Sequence, residues 1–214
     1  MRRIYLLLFC LLAVLPGYAA ASDLPRNEQP MYGNEKLPPE EQRVNDAFLA
    51  KFAKPTWPLM SNKAVDIGWR ALSRNDPAKA MRRFNQGWLL NPNNGRVYWG
   101  YAVVLQVRDR NLTGSVEMFE RARKLLPNNP ELLTDCGRIL EGGGRYKDAI
   151  AKFNAALAMD EKIPPAYYGL VRSYLGLKDI QKAAHYAKVG REFGIPLSDR
   201  EIDELQRLAE KQRE

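Results

Sequence analysis

Histidine occurs once and cysteine twice in 214 residues, and these two scarcities exclude more than any motif present. A zinc site, a haem-attachment motif or a disulfide framework needs a cluster of such residues, and none can be assembled. Long apolar runs are also missing: Ile4 to Leu15 is an unbroken run of 12 residues, against about 20 for a membrane-spanning helix. There is no nucleophile elbow, no paired-cysteine motif and no glycine-rich loop ending in Gly-Lys-Ser/Thr. Disorder throughout is excluded from the other side, because 45% of the residues are apolar and 10% aromatic. The bulk of the chain is expected to fold, with one or two domains' worth of material, and no catalytic or metal-binding constellation is expected in it.

The amino-terminal residues 1–21 have three parts: basic Arg2 and Arg3, the apolar run, and Pro16-Gly17 followed by small Ala19-Ala20-Ala21. That arrangement predicts a secretory signal, with an uncleaved anchor as the alternative. No lipid attachment is expected at Cys10, since Leu8-Phe9 stand where small residues are needed. Cleavage would remove both arginines and Cys10, leaving a net charge of +6 and Cys136 as the one thiol. Export, with a bacterial periplasm as the expected destination, removes nucleic acid as a partner despite the basic balance. It leaves acidic proteins, lipid headgroups and envelope polymers as the polyanions the surface would meet.

Residues 22–38 carry Pro25, Pro30 and Pro38 without any apolar period, and predict an extended or disordered tail. A helix and linker are expected over 39–60, with Val44, Phe48 and Phe52 recurring every four residues beside Ala47. Pro-Pro-Glu-Glu suits that helix's first turn. From about Ser61 the sequence repeats itself. Ala80, Phe84, Gly87 and Pro92 align with Ser115, Phe119, Ala122 and Pro127, then with Ala149, Phe153 and Ala156, and more weakly with Ala183, Ala187 and Gly190. The separations of 34 and 35 residues, with small, bulky and small positions, describe paired helices that approach closely around a filling ring. Ser198-x-x-Glu201 predicts a capping box for a last helix at 198–214, whose Ile202, Leu205 and Leu208 would seal the end of the stack. By the same logic the helix within 39–60 is expected to cover its front.

These repeats resemble the tetratricopeptide repeat family. Leu133, Cys136, Gly137, Leu140, Tyr146, Ala149, Phe153 and Ala156 carry the pattern best, while Val171 and Ala187 depart from it in the last copy. The resemblance implies an all-α right-handed superhelical solenoid of about four helix pairs, at 61–94, 95–129, 130–163 and 164–197. It implies an interaction module rather than an enzyme, with a concave groove lined by the first helix of each pair.

Other candidate chemistry has a plainer reading. Gly142-Gly143-Gly144 falls where two helices join and reads as a turn. Cys136 takes the place of a core leucine, so an inert thiol is expected. His185 has no partner that would tune it for proton transfer. Asn111-Leu112-Thr113 matches a glycosylation sequon, a motif too short to weigh.

Mapping the family's groove positions selects Asn62, Trp69, Arg96, Trp99, Gln106, Arg138, Tyr168 and Arg172 as partner-binding residues, with Val103, Glu131, Thr134 and Asp135 beside them. Trp and Arg are the types most enriched in binding hot spots. The alternative is that Trp69 and Trp99 are core filler. A carboxylate clamp of the kind some family members use does not fit, because Val65, Trp69, Gly100, Glu131 and Asp135 stand at its positions. The expected partner is a protein or peptide bound without catalysis or cofactor. The alternative is a module for an anionic envelope glycan or lipid headgroup.

Overall fold

The structure, a computed structural model, describes residues 24–212; the predicted signal at 1–21 lies outside them. It is 77% helical with no strand among the described residues, and it is a right-handed solenoid of helix pairs. A short amino-terminal strap contains 3-10 turns at Arg26–Glu28 and Pro30–Asn34. It is followed by α1 (Pro39–Leu49), a 3-10 turn at Lys54–Thr56, and four pairs. The pairs are α2 (Trp57–Ser73) with α3 (Pro77–Leu90), α4 (Gly95–Val107) with α5 (Leu112–Leu125), α6 (Pro130–Gly142) with α7 (Tyr146–Met159), and α8 (Pro164–Gly176) with α9 (Ile180–Arg191). The last helix, α10, runs over Asp199–Lys211.

Helix ends follow from short polar side chains. Asp76, Asn94, Asn111, Asn129 and Asp179 each accept a backbone N–H from the first turn of the next helix. The sequon asparagine is therefore a helix cap. Ser198 and Glu201 form the predicted capping box. Within each pair the turn passes through one left-handed residue: Asn75, Arg110, Gly144 and Lys178, with φ of 58, 53, 75 and 61°. Only Gly144 makes that conformation without steric cost, so the triple glycine is the turn of the third pair.

The small-bulky-small pattern has a direct meaning in space. A Cβ added at Gly68 or Gly100 would lie 2.5 Å from the ring of Phe84, and one at Gly137 or Gly169 would lie 2.6 or 2.2 Å from that of Phe153. Each ring is thus gripped between its own first helix and the first helix of the next pair. The rings of Phe84, Phe119 and Phe153 are essentially fully buried in one continuous core reaching from the strap to α8. In the last pair Ala187 stands where a ring is expected, and a second, smaller core takes over. There Tyr167 stacks on Phe193 at 4.9 Å and Tyr174 on Tyr186 at 5.5 Å, and Ile202 of α10 is buried. Leu208 of the predicted sealing stripe stays exposed, and Ala209 is buried beside Ile202.

The amino-terminal part differs from its sequence reading. The strap, predicted extended or disordered, is wound into turns that lie against the outer side of α3. Asn85 of α3 donates through Nδ2 to the carbonyls of Asn27 and Gln29, at 2.9 and 2.8 Å. Its Oδ1 accepts from Met31 N at 2.9 Å and from the Tyr101 hydroxyl at 2.7 Å. Glu28 pairs with Arg82, and Arg108 donates to its carbonyl at 2.9 Å. Met31, Tyr32, Gly33 and Asn34 are all left-handed, an arrangement of L-residues that persists only where surrounding contacts impose it. Helix α1, expected to cover the front of the stack, also packs beside α3. Its buried residue is Asn45, while Val44 of the predicted apolar stripe is 66% exposed. Phe48 and Leu49 are half-buried, so the helix covers only part of its apolar stripe.

Candidate functional site

Between pairs, first helices touch at α2 with α4 and at α6 with α8, and each second helix packs on the first helix of the next pair. The stack therefore closes toward its first helices, and these line the inner wall. All eight sequence-predicted site residues lie on them, and four of these meet in two pairs, Trp69 with Trp99 and Tyr168 with Arg172.

At the amino-terminal end, Asn94 donates to Asn62 Oδ1 at 3.0 Å, and Arg96 reaches Asp66 at 2.7 Å. In the middle, the rings of Trp69 and Trp99 meet edge to face at 5.4 Å, and Trp69 meets Phe84 in the same way at 5.6 Å. Trp99 Nε1 donates to Asp135 at 3.1 Å, and Arg138 approaches the other oxygen of that carboxylate at 3.1 Å. Toward the carboxy-terminal end, Arg172 donates to Glu141 at 3.0 Å while its guanidinium lies 5.8 Å from the centre of the Tyr168 ring. Gln106 keeps a buried Oε1 without a hydrogen-bond partner. The two tryptophans are half-buried, so they serve the core with one edge and present the other to the groove.

Sequence reasoning missed Asp66 and Glu141, the acids that hold Arg96 and Arg172. Their signal was present: each stands 30 or 31 residues before its arginine, close to one repeat. The arginine of each rung is substantially solvent-exposed, so each pair contributes about 0–1 kcal/mol. Their larger effect is on charge, since every groove arginine named here faces a carboxylate.

Asp135 is the groove carboxylate whose ionisation the surroundings shift. Burial raises its pKa, against the opposing pull of Arg138 and of the Trp99 N–H. A carboxyl raised in the folded state adds stability that is complete below its unfolded pKa and lost as pH rises through its folded value. Asp135→Asn keeps an acceptor for Trp99 and removes that loss. Melting temperatures of the two proteins, compared from acid to neutral pH, should separate in favour of the variant as pH rises. A constant gap would contradict this.

Elsewhere, burial pushes the Cys136 thiol up to about 11, an inert group at neutral pH. His185 is exposed and lies edge-on to Tyr186. Among the described residues no three His, Cys, Asp or Glu side chains gather where they could hold a metal ion, and no helix is long and apolar enough to cross a membrane.

Known proteins share this architecture. Residues 134–191 match the tetratricopeptide repeat family. Cellulose synthase operon protein C of Pseudomonas fluorescens (strain SBW25) is 36% identical over 123 residues, covering 54% of this chain and only 9% of that much longer protein. Among solved structures, Pseudomonas aeruginosa pilF superposes with a TM-score of 0.60 at 18% identity, over 64% of this chain and 63% of its own. MamA of Desulfovibrio magneticus RS-1 gives 0.54 at 22% identity, over 63% of this chain and 75% of its own. At these identities the structural likeness concerns the fold.

Proposed function

From the tetratricopeptide repeats this chain carries, we propose that it is a non-catalytic interaction scaffold whose inner wall holds a segment of a partner protein. The observation that supports this most is the Trp69–Trp99 pair, half-buried on the inner wall and flanked by hydrogen-bonded polar rungs. Rigid aromatic edges amid paired charges suit an amphipathic peptide with apolar anchors and charges of both signs. A uniform polyanion suits the wall less well, because Arg96, Arg138 and Arg172 each already face a carboxylate.

The setting proposed is an exported assembly, with the periplasm as its compartment. The tripartite segment at 1–21 supports export. Asn62, Trp69, Arg96, Trp99, Gln106, Arg138, Tyr168 and Arg172 are the proposed contacts. A photo-crosslinking residue at exposed position 138, used in cells, should capture the partner. Trp99→Ala should then weaken its binding by about 2 kcal/mol, roughly 30-fold, with helical content unchanged. Loss of the fold, with binding spared in the folded fraction, would make Trp99 a core residue and end the groove assignment. Binding that falls steeply with salt would instead support the polyanion reading.

A further inference from the structure

On the outer side of the first pair, away from the inner wall, a cavity of about 440 Å³ lies between the strap, α1 and α3. Its volume is in the range of sites for small organic ligands. Tyr32, Val44, Phe48 and Leu89 supply apolar lining. Val44 and Phe48 belong to the apolar stripe of α1, and the fold half-buries Phe48 but leaves Val44 largely uncovered. An apolar wall exposed over a concave space is surface that a ligand would remove from water.

The polar lining narrows the ligand's chemistry. Asn45 is only 7% exposed, and its Nδ2 has no hydrogen-bond partner. A buried amide donor left unpaired is costly, and an oxygen acceptor in the cavity would satisfy it. Arg26, also in the lining, lies 3.6 Å from Glu35 and 3.5 Å from the Lys36 carbonyl, so its guanidinium is loosely held. Arg82, by contrast, is committed to Glu28. Glu41 completes the lining as its one carboxylate and opposes a second negative charge on any ligand. A single anionic head is therefore favoured over a phosphate dianion.

We propose that this cavity binds a monocarboxylate with an apolar body, of the medium-chain or aryl carboxylic acid class. The carboxylate accepts hydrogen bonds from Asn45 Nδ2 and Arg26. The body lies among Tyr32, Val44, Phe48 and Leu89. Nothing in the inner-wall function requires this site, and the two can be tested apart.

The probes are decanoate, decylamine and the peptide acetyl-Gly-Gly-Phe with a free carboxylate, each titrated into isotope-labelled protein by NMR. Decanoate should bind saturably and shift the Asn45 side-chain amide and the Val44 methyl groups, while decylamine should not. Val44→Glu, a change at an exposed position, should weaken decanoate at least about tenfold without altering the melting temperature. Asn45→Ala should erase the preference for decanoate over decanol and leave the fold intact. Absence of saturable decanoate binding overturns the proposal, as does equal binding of decylamine. Binding of the peptide but not decanoate overturns it as well, and identifies the cavity as a site for a protein's carboxy-terminus. Shifts at Trp99 rather than at Val44 and Asn45 would move the ligand to the inner wall and also refute it.

Discussion

Phe153→Ala should lower the stability of the protein by about 3–5 kcal/mol, measured as a shift in the urea midpoint at unchanged slope. The ring is fully buried and is shared by two pairs, since Gly137 of α6 and Gly169 of α8 both lie against it. Collapse around the lost ring is obstructed, because the flanking positions are glycines with no side chain to swing into the space. The transfer term and the cavity term should therefore both be felt in full. The reciprocal change, Gly169→Ala, places a methyl group about 2.2 Å from the ring and should cost about 1–3 kcal/mol by overpacking. A loss under about 1 kcal/mol for Phe153→Ala would show that the two pairs do not depend on a common ring.

The second large effect is expected at Asn85. Its side chain makes four hydrogen bonds, three of them to the backbone of the strap and one to the Tyr101 hydroxyl. Asn85→Ala removes all four at once. Strap carbonyls and the Met31 N–H can recover water only by leaving α3, and leaving also relaxes four consecutive left-handed residues. The Tyr101 hydroxyl stays buried and loses its acceptor, a cost of about 1–3 kcal/mol. The strap should detach while the solenoid holds. Trypsin should then cleave after Arg26 and Lys36 at least about tenfold faster, with little loss of helical signal. Unchanged protection would mean that Glu28, with its two arginines, suffices to hold the strap. Decanoate binding should also be lost, since Tyr32 and Arg26 line the outer cavity.

The solenoid was legible because its determinants are local and periodic. Phe84, Phe119 and Phe153 recur at repeat spacing, short polar caps open the helices, and Ser198 and Glu201 close their box within four residues. The strap was not legible, for the opposite reason. Its contacts join residues 54 to 90 positions apart, and they run through one asparagine, three arginines and positive-φ backbone, none of which has a period. The pair Met31-Tyr32, both buried, was the one apolar hint in that stretch. The inner wall was half legible. Residue positions followed from the repeat, but the carboxylates that occupy its arginines could be found only by searching one repeat upstream. The outer cavity had no counterpart in the sequence, because strap, α1 and α3 meet there only after folding.

The change of filler at the last pair has a mechanical consequence. Up to α8 each shared ring couples a pair to its successor, so those turns of the superhelix yield together. Beyond it, Ala187 shares no such ring, and cohesion passes to stacked tyrosines and the narrow contact of α10. The shared rings thus tie the pairs together as far as α8, and only the closing contact of α9 with α10 is made without one. A partner lying along the inner wall, from Trp99 to Tyr168 and Arg172, would meet first helices whose spacing those rings fix.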